Sequence, residues 1–285
     1  MNFKATAVLR AAEDCDLIHT FTYHAVRPAS LAARRLGKPV VCGVLALFGS
    51  TWLEMRGPFS GRVWRVMERY LLGLPLDARI YLSRSSLDLA RAMGIEHPSD
   101  RILDPGISLD DYHVSPDKSY VLFSGKLDAR KGIDTVLAAA VRLPSVPFRI
   151  LGWGARYQEI ESRLPSNVTL EPFKDRAYLA EVLAGARIFL FPSKAETFGL
   201  VVAEAMAAGC AVISTLPLPF EGVHLLKGDE DETTRAVESL WRDTTRCQHC
   251  AAANQRAAQR YSWPAHVESL EALYSHLIDR SNGKP

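Results

Sequence analysis

Residues 191–215 read FPSKAETFGLVVAEAMAAGCAVIST. The apolar run 188–191 enters this stretch as a short buried strand, stopped by Pro192 and Ser193. A polar turn carries Glu196. Residues 200–208, rich in alanine and valine, are expected as a tightly packed helix. Gly209 stands where helices commonly end in a left-handed residue. Residues 210–214 form the next buried strand. Strand, loop, helix, glycine stop and strand make one βαβ unit of a parallel sheet, so the chain is expected to be α/β.

Two acids frame the loop-to-helix junction: Glu196, seven intervening residues, then Glu204. Glu204 lies about one turn into the helix. Glu196 comes just before it, beside the free backbone N–H groups of Phe198, Gly199 and Leu200. Such an end attracts anions, because unpaired N–H groups and the helix dipole both favour negative charge there. Gly199 lets a ligand approach the backbone closely. The two carboxylates can accept hydrogen bonds from hydroxyls of a sugar and of a ribose. Taken alone, the pair better suits a helix-capping acid and an acid on a solvated face.

The whole block, P-S-x-x-E-T-F-G-L-x-x-x-E-A-M-A-x-G, resembles the E-x7-E signature of the family-four retaining glycosyltransferases. The resemblance implies a GT-B fold of two Rossmann-like parallel-sheet domains. It also implies that Glu196 and the segment Thr197, Phe198, Gly199, Leu200 hold the donor sugar, and that Glu204 holds the ribose of the nucleotide.

Length and composition agree with such a protein. At 285 residues and 48% hydrophobic content, the chain can build one large or two ordinary domains with full cores. Its net charge of +2 gives no argument for a nucleic-acid partner. Cys42 and Cys210 fall in expected buried strands, where cysteine acts as a small hydrophobe. Cys247 and Cys250 form a C-x-x-C with no second pair to complete a zinc site, and are expected as surface thiols of a helix. The first residues lack the apolar core of a signal peptide, and no apolar run is long enough to cross a bilayer. A cytoplasmic, reduced setting is expected, with peripheral contact at the inner membrane face as the variant.

The earlier chain alternates strand and helix as well. Helices are expected over 3–12 and 28–36, the second closed by Gly37, and strands over 16–22 and 38–47. Residues 57–72 are expected as a helix. Phe59, Val63, Val66 and Tyr70 share one of its faces, and Arg62, Arg65 and Arg69 another. A basic amphipathic helix can lie on an anionic membrane or bind acidic acceptors. The favoured arrangement here packs the apolar face on the domain's own sheet and leaves the arginines solvated. Residues 78–83 and 101–103 are further strands. Pro105-Gly106, with residues 107–112, resembles the hinge that ends the first domain in this family, and residues 113–118 read as a linker.

Residues 120–124 start the second domain. Gly125-Lys126-Leu127-Asp128-Ala129-Arg130-Lys131-Gly132 then resembles the family's G-R-L-x-x-x-K-G loop, whose two cations neutralise the donor diphosphate. Those roles fall on Lys126 and Lys131; lysine in place of arginine keeps the charge and loses the two-pronged fork. Gly152 and Gly154 resemble the family's G-x-G turn, which leaves room for the nucleotide. Phe173 and Lys174 are the expected neighbours of the base. Ligands bind outside the carboxyl ends of strands in open α/β sheets, where all these loops lie. The segment 217–222 after the strand at 210–214 is expected as a loop. Helices follow from 229 onwards, behind an acidic N-terminal cap, and over 247–259. A last helix from 263, striped with Val267, Leu270, Leu273, Tyr274 and Leu277, is expected to cross back to the first domain.

The expected domains are thus 1–115 on the acceptor side, 116–262 for the nucleotide sugar, and 263–285 as the returning helix. The first is short, since a full acceptor domain needs roughly 150 residues. The family's opening strand and glycine-rich loop have no counterpart before Asp16, which leaves open a truncated gene model. The usual active-site histidine aligns with Leu45, and His24 is the candidate acceptor-side substitute. The expected function is retaining transfer of a hexose from a nucleoside-diphosphate sugar to the hydroxyl of a glycan, a lipid-linked sugar or a small molecule. Lys126, Lys131 and Glu196 are its central groups, and neither metal nor cofactor is expected. The alternative is a silent donor-binding subunit, or one completed by a partner chain. An epimerase or a phosphorylase on the same architecture ranks below both, for want of a histidine or lysine constellation suited to those chemistries.

Overall fold

Short apolar strands that alternate with helix-forming segments are satisfied by a parallel sheet covered on both faces. The computed structural model describes residues 3–194, 196–215, 222–227 and 229–283. It divides into two units, Met1–Pro105 with Pro264–Pro285, and Gly106–Trp263. The segment 217–222, apart from Gly222, lies outside the described residues.

The first unit runs α1 (Phe3–Ala11), β1 (Ile18–Phe21), α2 (Val26–Leu36), β2 (Val40–Val44), α3 (Thr51–Arg56), α4 (Pro58–Leu72), β3 (Ala78–Tyr81), α5 (Arg84–Ala92) and β4 (Arg101–Ile102). Among the described residues its four strands are parallel and lie in sequence order. Strand residues alternate between two cores, as the pleat requires. Val40, Cys42, Val44 and Tyr81 pack with Ala29, Ala33 and Leu87 of α2 and α5. Val41, Ala78 and Ile80 pack with Leu273 and Leu277 from the end of the chain.

The second unit runs β5 (Tyr120–Lys126), α6 (Ile133–Arg142), β6 (Phe148–Trp153), α7 (Tyr157–Glu161), β7 (Val168–Pro172), α8 (Arg176–Ala184), β8 (Ala186–Phe191), α9 (Leu200–Ala207), β9 (Ala211–Ser214), β10 (Val223–Leu225), α10 (Glu230–Arg242) and α11 (Thr244–Ala258). The last helix, α12 (Trp263–Ser281), closes the chain. Among the described residues the second sheet has the order β10-β9-β8-β5-β6-β7, with every pairing parallel. Residues 106–115, ahead of β5, belong to this unit: Ile107 donates its N–H to the Tyr261 carbonyl at 2.7 Å. No described helix is long and apolar enough to cross a membrane.

Two sequence expectations are corrected. Cys247 is not a surface thiol, for it is buried in the second unit's core beside Leu240 and Val237. Cys250 packs against that core only in part. The apolar face of α4 does not pack on the sheet either, since Phe59, Val63, Val66 and Tyr70 are all exposed. The helix instead buries Gly61, Glu68, Leu71 and Leu72, on the opposite side of the cylinder.

Two local demands turn α4 this way. Gly61 meets the backbone of Trp52 and Leu53, where any Cβ would clash, so α3 and α4 pack closely there. Glu68 is fully buried and accepts four hydrogen bonds. Its donors are the Tyr23 hydroxyl at 2.6 Å, the backbone N–H groups of Phe48 at 3.1 Å and Gly49 at 2.8 Å, and the Trp52 indole at 3.0 Å. A buried carboxylate is tolerable only when so satisfied. Removing it strands several buried donors at about 1–3 kcal/mol each. Glu68→Ala is therefore expected to lower the unfolding free energy by about 3 kcal/mol or more, measured by urea denaturation.

Candidate functional site

The strand order of the second unit reverses between β5 and β8. From β5 the chain builds outward through β6 and β7, then returns to the other side of β5 with β8, β9 and β10. Loops that leave the carboxyl ends of two such strands part around a crevice, where open α/β sheets bind ligands. The loops in question are 127–132 after β5 and 192–199 after β8.

These two loops are bound directly to each other. Lys194 donates its N–H to the Arg130 carbonyl at 2.8 Å. The Lys131 ammonium is paired with the Glu196 carboxylate, and the Ser193 hydroxyl lies 3.1 Å from the same Glu196 oxygen. Lys131 and Glu196 expose only 17% and 13% of their side chains, so the pair is poorly screened. Gly132 opens α6 at φ +77°, and a Cβ there would run into the Pro192 carbonyl, so glycine is what lets the loops approach.

Lys126, at the end of β5, is more open. Its ammonium lies 3.8 Å from Asp128, and its stem runs along Gly154. The other oxygen of Asp128 accepts the N–H of Lys131 at 3.0 Å, so one carboxylate ties both lysine segments together. Gly125 and Gly152 pair across β5 and β6, and a Cβ on Gly152 would strike Leu127. Gly154 has φ +129°, a conformation that favours glycine.

The start of α9 has no side-chain cap, and Gly199 precedes it at φ +82°. Thr197 is half-buried, while Phe198 turns inward against Tyr261 with ring centres 5.2 Å apart. Leu200 is exposed. What this corner offers is therefore backbone N–H groups at a positive helix end.

Glu204 is buried within α9. It accepts a hydrogen bond from the Tyr112 hydroxyl, and Arg176 lies 3.3 Å away. Burial holds the Glu204 carboxyl above the ordinary carboxylate range, and Tyr112 and Arg176 pull it partly back. The Tyr112 hydroxyl is raised, first by its own burial and then by the charge of Glu204.

The remaining candidates are spread more widely. Phe173 follows β7 and forms a tilted aromatic pair with Trp153, ring centres 5.4 Å apart, both partly exposed beside Gly152 and Gly154. The Lys174 ammonium sits 3.9 Å over the Tyr178 ring. His24 is exposed in the turn between β1 and α2, in the first unit, and Leu45 is exposed after β2. Among the described residues no group of three His, Cys, Asp or Glu side chains could hold a metal ion.

Several residues of the site escaped the sequence analysis. Trp153 stood in view between two glycines, and its exposure at a strand end was the missing fact. Ser193 and Asp128 lie inside the recognised loops, where only charge and glycine had been weighed. Tyr112 and Arg176 reach Glu204 from distant segments that share no local pattern with it.

Comparison with known proteins places this geometry. Residues 109–256 match the family described as "Glycosyl transferases group 1", and residues 2–103 match "Glycosyl transferase 4-like domain". A D-inositol 3-phosphate glycosyltransferase of Mycobacterium ulcerans is 27% identical over 209 residues, which cover 62% of this chain and 45% of the relative. The chain spans about half the length of the first curated relatives it matches. Among solved structures, sucrose-phosphate synthase from Thermosynechococcus elongatus superposes with a TM-score of 0.80 at 20% identity, covering 97% of this chain and 77% of that one. Anabaena Alr3699/HepE in complex with UDP-glucose gives 0.79 at 19% identity, covering 96% and 82%. At these identities the structural likeness concerns the fold, which is the two-domain GT-B arrangement.

The raised Glu204 carboxyl has a consequence for stability. A carboxyl whose folded value lies above its unfolded one holds its proton more tightly when folded. Its contribution is therefore present below the unfolded value and is lost as pH rises through the folded one. The melting temperature of the native chain is expected to fall relative to that of Glu204→Gln as pH rises from about 4 into the range above the ordinary carboxylate value. A difference between the two melting curves that stays flat with pH contradicts this.

Proposed function

The chain belongs to the group 1 glycosyl transferases, and on that premise we propose that it moves a hexose from a nucleoside-diphosphate sugar to an acceptor hydroxyl with retention at the anomeric carbon. The observation that carries the proposal is the Lys131–Glu196 pair, which joins the loops after β5 and β8 at the sheet's reversal, next to the uncapped start of α9.

In this reading the donor diphosphate lies against Lys126, Lys131 and the N–H groups of Phe198, Gly199 and Leu200. The bond from the anomeric carbon to the diphosphate breaks, and charge grows on the leaving oxygen. Groups already fixed around that oxygen stabilise it, which is the largest single catalytic effect such a site supplies. The acceptor oxygen bonds to the anomeric carbon on the face that the diphosphate leaves, and its proton passes to the departing phosphate. Glu196 orients the donor sugar through its hydroxyls and is not a nucleophile. Lysines and helix amides supply the positive field that a metal would otherwise provide.

Gly125, Gly152 and Gly154 leave room for the nucleotide, with Phe173 and Trp153 as the flat apolar surface for its base. Lys174 would join them on leaving the Tyr178 ring. Glu204 takes the ribose hydroxyls when Arg176, which is largely exposed, swings aside. Glycan, lipid-linked and small-molecule acceptors all present the required hydroxyl, and His24 is the acceptor-side candidate in the first unit.

A thermal-shift panel of UDP-glucose, GDP-mannose and ADP-glucose tests the donor site, because a ligand that binds only the folded chain raises its melting point. At least one donor is expected to do so. Lys131→Ala is expected to keep its fold by circular dichroism, to lose that shift, and to lower release of the nucleoside diphosphate by about a hundredfold or more. A Lys131→Ala chain with native binding and turnover would place the diphosphate elsewhere.

A further inference from the structure

The ridge on α4 is an unusual thing to leave in water. Phe59, Val63, Val66 and Tyr70 recur at the spacing that stacks side chains on one helix face. They expose 83%, 59%, 69% and 53% of their surface. The row runs about 16 Å along the helix, directly opposite the side that buries Gly61 and Glu68. Met55 of α3 adds a further exposed apolar side chain.

Charge on α4 is equally one-sided. Arg62, Arg65 and Arg69 form a second row alongside the apolar one, and all three are exposed. Among the described residues none of them is in an ion pair. The one acid of α4 is Glu68, and it points into the fold, where Tyr23, Trp52 and two backbone N–H groups consume it. On α3, Arg56 lies 5.6 Å over the Trp64 ring, next to the exposed Glu54.

We propose that this ridge docks the chain on an anionic lipid surface. Apolar side chains would enter the boundary between headgroups and acyl chains, while the arginines meet lipid phosphates. Arginine suits that task because its planar fork pairs with phosphate oxygens. A second copy of the chain fits less well. Face-to-face contact of two such helices would remove three arginines per copy from water with no exposed carboxylate on α4 to receive them, and buried unpaired charge is costly. The inference is independent of the donor-site proposal, since none of its residues lies in the second unit.

The test is sedimentation of the full chain with vesicles of phosphatidylcholine mixed with phosphatidylglycerol, against vesicles of phosphatidylcholine alone. The chain is expected to sediment with the mixed vesicles at low salt, to detach as salt rises, and to ignore the neutral ones. Each arginine near an anionic surface contributes about fivefold, so Arg62→Gln/Arg65→Gln/Arg69→Gln is expected to bind about a hundredfold more weakly. Phe59→Ser/Val66→Ser is expected to lose binding while keeping the native melting temperature, because both side chains are exposed. The proposal is overturned if the native chain stays in the supernatant with the mixed vesicles, or if the serine variant binds as well as the native chain. It is also overturned if the native chain forms a dimer, seen by sedimentation velocity, that the serine variant disperses.

Discussion

An ammonium and a carboxylate, Lys131 and Glu196, hold the two loops of the sheet's reversal in register. Each side chain is largely withdrawn from water, so neither can be left alone without a desolvation cost. Asp128 from one loop and Ser193 from the other fix the approach, and Gly132 removes the Cβ that would hold the loops apart. The pair thus stands in the crevice at the sheet's reversal. In the proposed donor site an incoming diphosphate would be repelled by Glu196 and attracted by Lys131, so binding would divide the pair or share the ammonium. In that reading the uncapped start of α9 would meet the phosphate with no bond to break first, and Lys126, which faces Asp128 across 3.8 Å, would give up less than Lys131 does.

The first unit is organised by a different buried carboxylate. Glu68 draws Tyr23, the loop of Phe48 and Gly49, and Trp52 onto α4, and in doing so fixes which way that helix faces. Each of the four donors would cost free energy if left unmade in the interior, which favours turning Glu68 inward. Tight contact at Gly61 adds a steric demand in the same direction. The apolar row is left outside as a consequence, where it meets solvent or another surface.

Those two carboxylates also mark the limits of what the sequence discloses. The run from 188 to 214 was legible because its periods change from two to 3.6 and back, with proline and glycine at the joints. The β5 loop was legible because glycines and lysines stand at fixed offsets within a few residues. The facing of α4 was not. A period of 3.6 reveals that an apolar row exists and says nothing about whether it points inward, and a glutamate in the opposite row reads as solvated by default. Cys247 misled for a similar reason, since a helix of mixed composition hides which side meets the core. Tyr112 and Arg176 come to Glu204 from separate segments, and only the fold joins them.

Hydrogen exchange of individual amides tests the central claim most directly. The full chain would be followed with and without the nucleoside-diphosphate sugar that raises its melting point most. If one diphosphate bridges both loops, amides in 129–132 and in 197–200 slow together, with the same ligand midpoint. Slowing in one loop alone, or in neither while the melting point still rises, contradicts a shared phosphate site at the sheet's reversal.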